Sequence, residues 1–127
     1  MITEDYVSFE TAKLLKEKGF EGDVNAYYHI WDNGHRVCPA QEFTHSEAPH
    51  LYIPAPTQSM VMKWLREEYN LFIWLSAETR RGLPYYYQIF DLSKKEDWVI
   101  CIGDSIYGSY ELAVEDAIKY CLDNFVR

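Results

Sequence analysis

The chain predicts an α+β domain built on antiparallel sheet, in the order α-β-β-α-β-β-β-α. Three observations lead there. Two segments begin at serines suited to capping a helix and carry apolar residues at helical spacing, Ser8 onward and Ser109 onward. An Asn33-Gly34 pair sits between two strand-like runs, a pattern that favours a tight hairpin. Three further apolar runs, 71–77, 84–92 and 97–102, are joined by short polar connections, which implies an antiparallel meander.

The first helix is predicted from Ser8 to near Gly19, with Phe9, Ala12, Leu14 and Leu15 facing inward and Val7 placed to staple onto Ala12. Gly19 is a natural residue for the left-handed position past a helix end. Residues 26–31 read as a strand, Asp32-Asn33-Gly34 as the turn, and His35 to about Cys38 as the returning strand. Residues 39–56 contain Pro39, Pro49, Pro54 and Pro56 and read as a long loop, the natural place for a functional segment. Thr57 is placed to cap a second helix over 57–69, with Met60, Val61, Trp64 and Leu65 as its apolar stripe. The last helix runs to about Phe125 on Tyr110, Ala113, Val114, Ala117, Ile118 and Cys121. The expectation is one domain, 1–127, with 1–56 and 57–127 as candidate sub-lobes.

The later strands are apolar on both faces. Leu71, Ile73 and Leu75 alternate with Phe72 and Trp74, and Tyr85, Tyr87 and Ile89 alternate with Tyr86 and Phe90. A sheet with one wet face alternates apolar with polar. Either helices cover both faces, the expectation favoured here because buried aromatics are usually core, or one face is a partner surface.

The 127 residues carry a formal charge of −8, with nine acids and four bases in residues 1–56 and eleven and eight in residues 57–127. A uniformly acidic chain opposes non-specific binding to phosphate backbones. The start of the chain shows no export-signal pattern, and no apolar run approaches the ~20 residues of a membrane span. Cys38, Cys101 and Cys121 are odd in number and scattered in spacing, so reduced thiols in a soluble, cytoplasmic protein are expected, with no membrane partner.

No combination of residues makes a complete catalytic or cofactor signature. Ile100-Cys101-Ile102-Gly103-Asp104-Ser105-Ile106 resembles the nucleophile block of GDSL-type esterases. That family also needs a late histidine, whereas only 22 residues follow Ser105 and no histidine occurs after His50. A strand-to-helix turn rich in Gly, Asp and Ser is ordinary turn chemistry. His29, His35, Cys38, His45 and His50 cluster in sequence, but the spacing His35-x2-Cys38-x6-His45-x4-His50 matches no standard zinc finger or ribbon. Polar edge and loop residues are the simpler reading. Cys38 beside a histidine lacks an orienting acid or amide, while Cys101 and Cys121 read as small core residues. The expectation is therefore no enzyme, no metal and no cofactor, a small hydrolase being the remotest reading.

Two resemblances bear on context. Residues 57–125 have the helix-three strands-helix order of double-stranded-RNA-binding domains. In that family the first helix, the first hairpin loop and the start of the last helix touch RNA. Lys63 and Arg66 match the first position by type, and Arg80 and Arg81 the second. The third departs, because the last helix opens with Glu111, Glu115 and Asp116 rather than a basic cluster. The wording of three blocks, Tyr6 to Phe20, Pro56 to Glu67 and Ser109 to Ala113, is similar to a group of small uncharacterised proteins. They are common in gut Bacteroides-type bacteria, their phages and mobile elements. That resemblance implies a bacterial or phage context and brings no activity, cofactor or catalytic residue.

The leading expectation is a non-enzymatic protein-interaction module, its partner a second copy of the chain or an unidentified protein. The contact candidates are Trp31, Trp74, Tyr86 and, in the loop, Phe43, His45, His50 and Tyr52. The alternative is nucleic-acid binding through Lys63, Arg66, Arg80 and Arg81, which the acidic balance makes the lesser reading.

Overall fold

The computed structural model describes residues 4–31, 34–39, 52–77, 84–103 and 106–127. The chain is α+β, with two antiparallel three-stranded sheets among the described residues, and divides into two compact units, Met1–Thr57 and Gln58–Arg127.

The first unit begins with α1, Phe9–Glu17. Ser8 caps it, its hydroxyl accepting from the Thr11 amide at 3.2 Å. The helix ends in a complete Schellman motif. Gly19 takes φ +88°, its amide donates to the Lys16 carbonyl, and the Phe20 amide donates to the Leu15 carbonyl at 3.0 Å. Phe20 and Leu15, the residues that this motif brings into apolar contact, are both buried.

The sheet of this unit has β1 (Ala26–Trp31) between β2 (Gly34–Pro39) and β3 (Tyr52–Pro54). Trp31 pairs with Gly34, so Gly34 belongs to β2 rather than to the turn expected over Asp32-Asn33-Gly34, and Asp32 and Asn33 lie outside the described residues. Strand β3 corrects the expectation of unbroken loop over 39–56, and with it the element order, which is α-β-β-β-α-β-β-β-α. Three residues closed by a proline carry no period of their own. They become a strand because Ile53 is buried opposite Tyr28 and a proline is tolerated at a sheet edge. The Tyr28 hydroxyl donates to the Val7 carbonyl at 2.5 Å, and the Val7 amide donates to the Pro56 carbonyl, tying the chain ahead of α1 to this sheet.

The second unit has α2 (Gln58–Tyr69), then β4 (Leu71–Ala77), β5 (Tyr85–Asp91) and β6 (Val99–Ile102) in that spatial order, then α3 (Tyr110–Asn124). Ser109 caps α3, accepting from the Leu112 amide at 3.1 Å. Asn70 turns from α2 into β4 at φ +56°, a left-handed position that asparagine tolerates. The two helices pack on each other and on the sheet. Val61 and Leu65 of α2, Val114, Ile118 and Leu122 of α3, and Ile73, Tyr87 and Ile89 of the sheet form the core. Gln58 pins the helices together, donating from Nε2 to the Glu111 carbonyl at 2.9 Å and to Glu115 at 3.3 Å. Among the described residues no helix is long and apolar enough to cross a membrane.

Candidate functional site

Side chains alternate across a strand, so the helices of the second unit cover only the odd-numbered face of β4 and β5. Leu71, Ile73, Tyr87 and Ile89 are buried there. The even-numbered face stays open, which corrects the expectation that helices cover both sides. Trp74 is 50 % exposed and Ile102 62 %.

This face carries a continuous strip of four aromatic rings. Trp74 meets Phe72 at 6.0 Å between ring centroids, Phe72 meets Phe90 at 6.1 Å, and Phe90 meets Trp98 at 5.0 Å. The register explains the contacts: Phe72 lies opposite Phe90, and Trp98 lies just ahead of Val99, which pairs with Phe90 across a bulge. Trp98 ends the strip 51 % exposed. Ser76, Tyr86 and Gln88 complete the face, so no residue of β4 or β5 on it is charged. The Phe72–Trp74 pair is edge-on and the other two pairs are tilted, with centroid separations at which aromatic rings attract one another.

The structure brings Trp74 and Tyr86 to this one face, Tyr86 half-buried and opposite Ser76. Tyr52 lies in the first unit, stacked on His29 at 4.9 Å, and Trp31 ends β1 there. Phe43, His45 and His50 lie outside the described residues, as do Arg80, Arg81 and Ser105. Lys63 and Arg66 are on α2, where Lys63 makes a 3.9 Å ion pair with Glu67. Phe72, Phe90, Trp98 and Ile102 were not singled out in the sequence. The parity of Trp74 carried through the β4–β5 register finds Phe72 and Phe90, whereas the places of Trp98 and Ile102 depend on the bulge between β5 and β6.

In the first unit His35 stacks on Phe9 at 4.0 Å. Its strand partner is Ile30, whereas Cys38 pairs with Tyr27, so His35 and Cys38 point to opposite faces of the sheet. They cannot ligate one ion without rearrangement. Among the described residues no group of three His, Cys, Asp or Glu is arranged around a common point.

The covered side of the second sheet holds a polar cluster. The Tyr107 hydroxyl donates to Asp116, and Tyr87 lies beside both. Burial first, then Tyr107, Asp116, Cys101 and Tyr120, holds the Tyr87 phenol well above its ordinary value. Burial, and secondly Cys101, pushes the Cys121 thiol up to about 12. A phenol and a thiol held neutral are poor nucleophiles near neutral pH. Gly103 is needed here, because a Cβ at that position would meet the Tyr87 ring at 2.9 Å.

No protein-family model matches the chain, and comparison with curated proteins and with solved structures returned no match. The fold and surface therefore define a class only: a two-unit α+β chain with an uncharged aromatic sheet face.

Proposed function

We propose that the chain is a non-enzymatic protein-interaction module, in a bacterial or phage setting, and that its contact surface is the aromatic face of β4–β5–β6. One observation carries this reading: the strip Trp74–Phe72–Phe90–Trp98 crosses the sheet and leaves both tryptophans half exposed. Apolar patches of this kind on monomer surfaces mark interaction sites, and tryptophan is the residue most enriched at their energetic centres. The polar Ser76 and Gln88 supply hydrogen-bonding groups within the same face.

Aromatic rings on an open sheet face also suit stacking of unpaired bases. The charge opposes that reading. The first turn of α3 carries Glu111, and the whole chain stands at −8.

The test is affinity capture from bacterial extract, comparing the wild type with a Trp74→Lys/Trp98→Lys double variant. At least one protein, another copy of this chain included, is expected to be retained by the wild type and lost by the variant. An identical set of captured proteins on both baits would rule the face out as the contact surface.

A further inference from the structure

Among the described residues four strands bound the two sheets, and three of them carry the devices that stop an edge from pairing with another chain. Strand β2 carries His35 and Arg36 and ends in Pro39. Strand β3 is three residues long and ends in Pro54. Strand β6 is four residues long, is offset by a bulge, and follows the charged turn Lys94-Lys95-Glu96-Asp97. Strand β4 has none of these. Its seven residues, Leu71–Ala77, contain no proline and no charge, and pair with β5 in unbroken register.

The hydrogen bonds fix which backbone groups face out. The Leu92 amide donates to the Asn70 carbonyl at 2.8 Å, so even-numbered residues of β4 bond to β5. The far side of β5 agrees. The Tyr85 and Asp91 amides donate to the Tyr107 and Trp98 carbonyls, and the Tyr87 carbonyl accepts from Gly103, so odd-numbered groups of β5 face β6. Leu71, Ile73, Leu75 and Ala77 therefore present their N–H and C=O groups along the outer edge. Among the described residues none of these groups has a partner across that edge.

We propose that β4 pairs antiparallel with β4 of a second copy about a twofold axis at Trp74, joining two three-stranded sheets into one of six strands. This rests on the interaction reading above and names its partner. The strand is complementary to itself in that register. Ile73 faces Leu75, Leu71 faces Ala77, Phe72 faces Ser76, and Trp74 faces its own copy. Full pairing adds about eight backbone hydrogen bonds. Trp74 falls at a non-hydrogen-bonded position, where facing side chains approach most closely, so two half-exposed indoles cover each other. The neutrality of the edge matters because each chain carries −8: two such chains meet most favourably where neither brings a charge.

The experiment is light scattering on a size-exclusion peak across a dilution series, together with amide exchange by NMR. The wild type is expected at twice the chain mass, with the outward amides of Leu71, Ile73, Leu75 and Ala77 protected. Trp74→Lys places two ammonium groups face to face and is expected to weaken the dimer at least about tenfold while freeing those four amides. Ala77→Pro removes an outward donor without touching the β4–β5 ladder and is expected to weaken it less. Val37→Lys, on β2 and outside both the β4 seam and the aromatic strip, should leave the dimer intact. A dimer lost in Trp98→Lys but kept in Trp74→Lys and Ala77→Pro would mean that sheets stack face to face; this overturns edge pairing and leaves the interaction reading standing. A monomeric wild type with exchanging outward amides overturns self-pairing, and the capture experiment then decides the interaction reading separately.

Discussion

Cys121 and Gly103 show how single residues report on the second core. The Cys121 side chain is fully buried on α3, and burial raises its thiol to about 12. In the native state at pH 8 it is expected to react with a disulfide reagent at least about tenfold more slowly than half-buried Cys101. Equal rates would show that the core opens on the timescale of labelling. The same shift has a consequence for stability. The unfolded thiol ionises near its ordinary value and the folded one does not, so stability is full below about pH 8.5 and falls above it, by up to about 1.4 kcal/mol per pH unit. Tyr87, also raised, adds to the fall above its own ordinary range. Urea midpoints that stay flat from pH 8 to pH 10 would contradict this. At Gly103 an added methyl meets the Tyr87 ring rather than a flexible side-chain end, so Gly103→Ala is expected to cost about 1–3 kcal/mol in denaturant unfolding.

The helices reveal which features of an element are readable from local chemistry. Ser8, Gly19 and Ser109 mark helix ends in the sequence, and each does so in the structure through a bond to a residue three positions away or within the closing motif. Ser109→Ala removes the acceptor for the Leu112 amide and is expected to destabilise the protein by about 1 kcal/mol, measured as a shift of the denaturant midpoint at unchanged slope. Strand β3 was not legible, because its reason for existing is Ile53 opposite Tyr28, a pairing between segments far apart in the chain. The face of the second sheet that lies open was not legible either. Apolar residues at both parities of β4 and β5 leave the choice to the helices, and it is the packing of α2 and α3 together that settles it. Trp74 and Tyr86 were identifiable as contact candidates, but Trp98 was not. It lies just ahead of β6, after a charged turn, and joins the strip only because the bulge between Ile89 and Phe90 brings it to the Phe90 ring.

At the scale of the whole molecule, charge and surface pull in different directions, and salt separates the readings. The formal charge of −8 makes two copies repel at a distance, while the β4 edge and the aromatic face offer contacts without charge. Ions screen the repulsion over a length of about 10 Å at 0.1 M and leave apolar burial and backbone hydrogen bonds almost unchanged. Self-association through β4 is therefore expected to tighten by roughly two- to tenfold between low salt and physiological salt. Binding to nucleic acid behaves oppositely, because it draws its affinity from counterions released by phosphate contacts and weakens steeply as salt rises. The measurement is sedimentation equilibrium of the wild type over a salt series, with a fluorescently labelled single strand present in a parallel series. A dimer that tightens while the strand stays unbound supports an interaction module that uses a neutral seam in an acidic surface. A strand that binds at low salt and is released at high salt would instead assign the aromatic face to stacked bases. A dimer that weakens with salt would place charged groups in the interface, which the β4 seam does not contain.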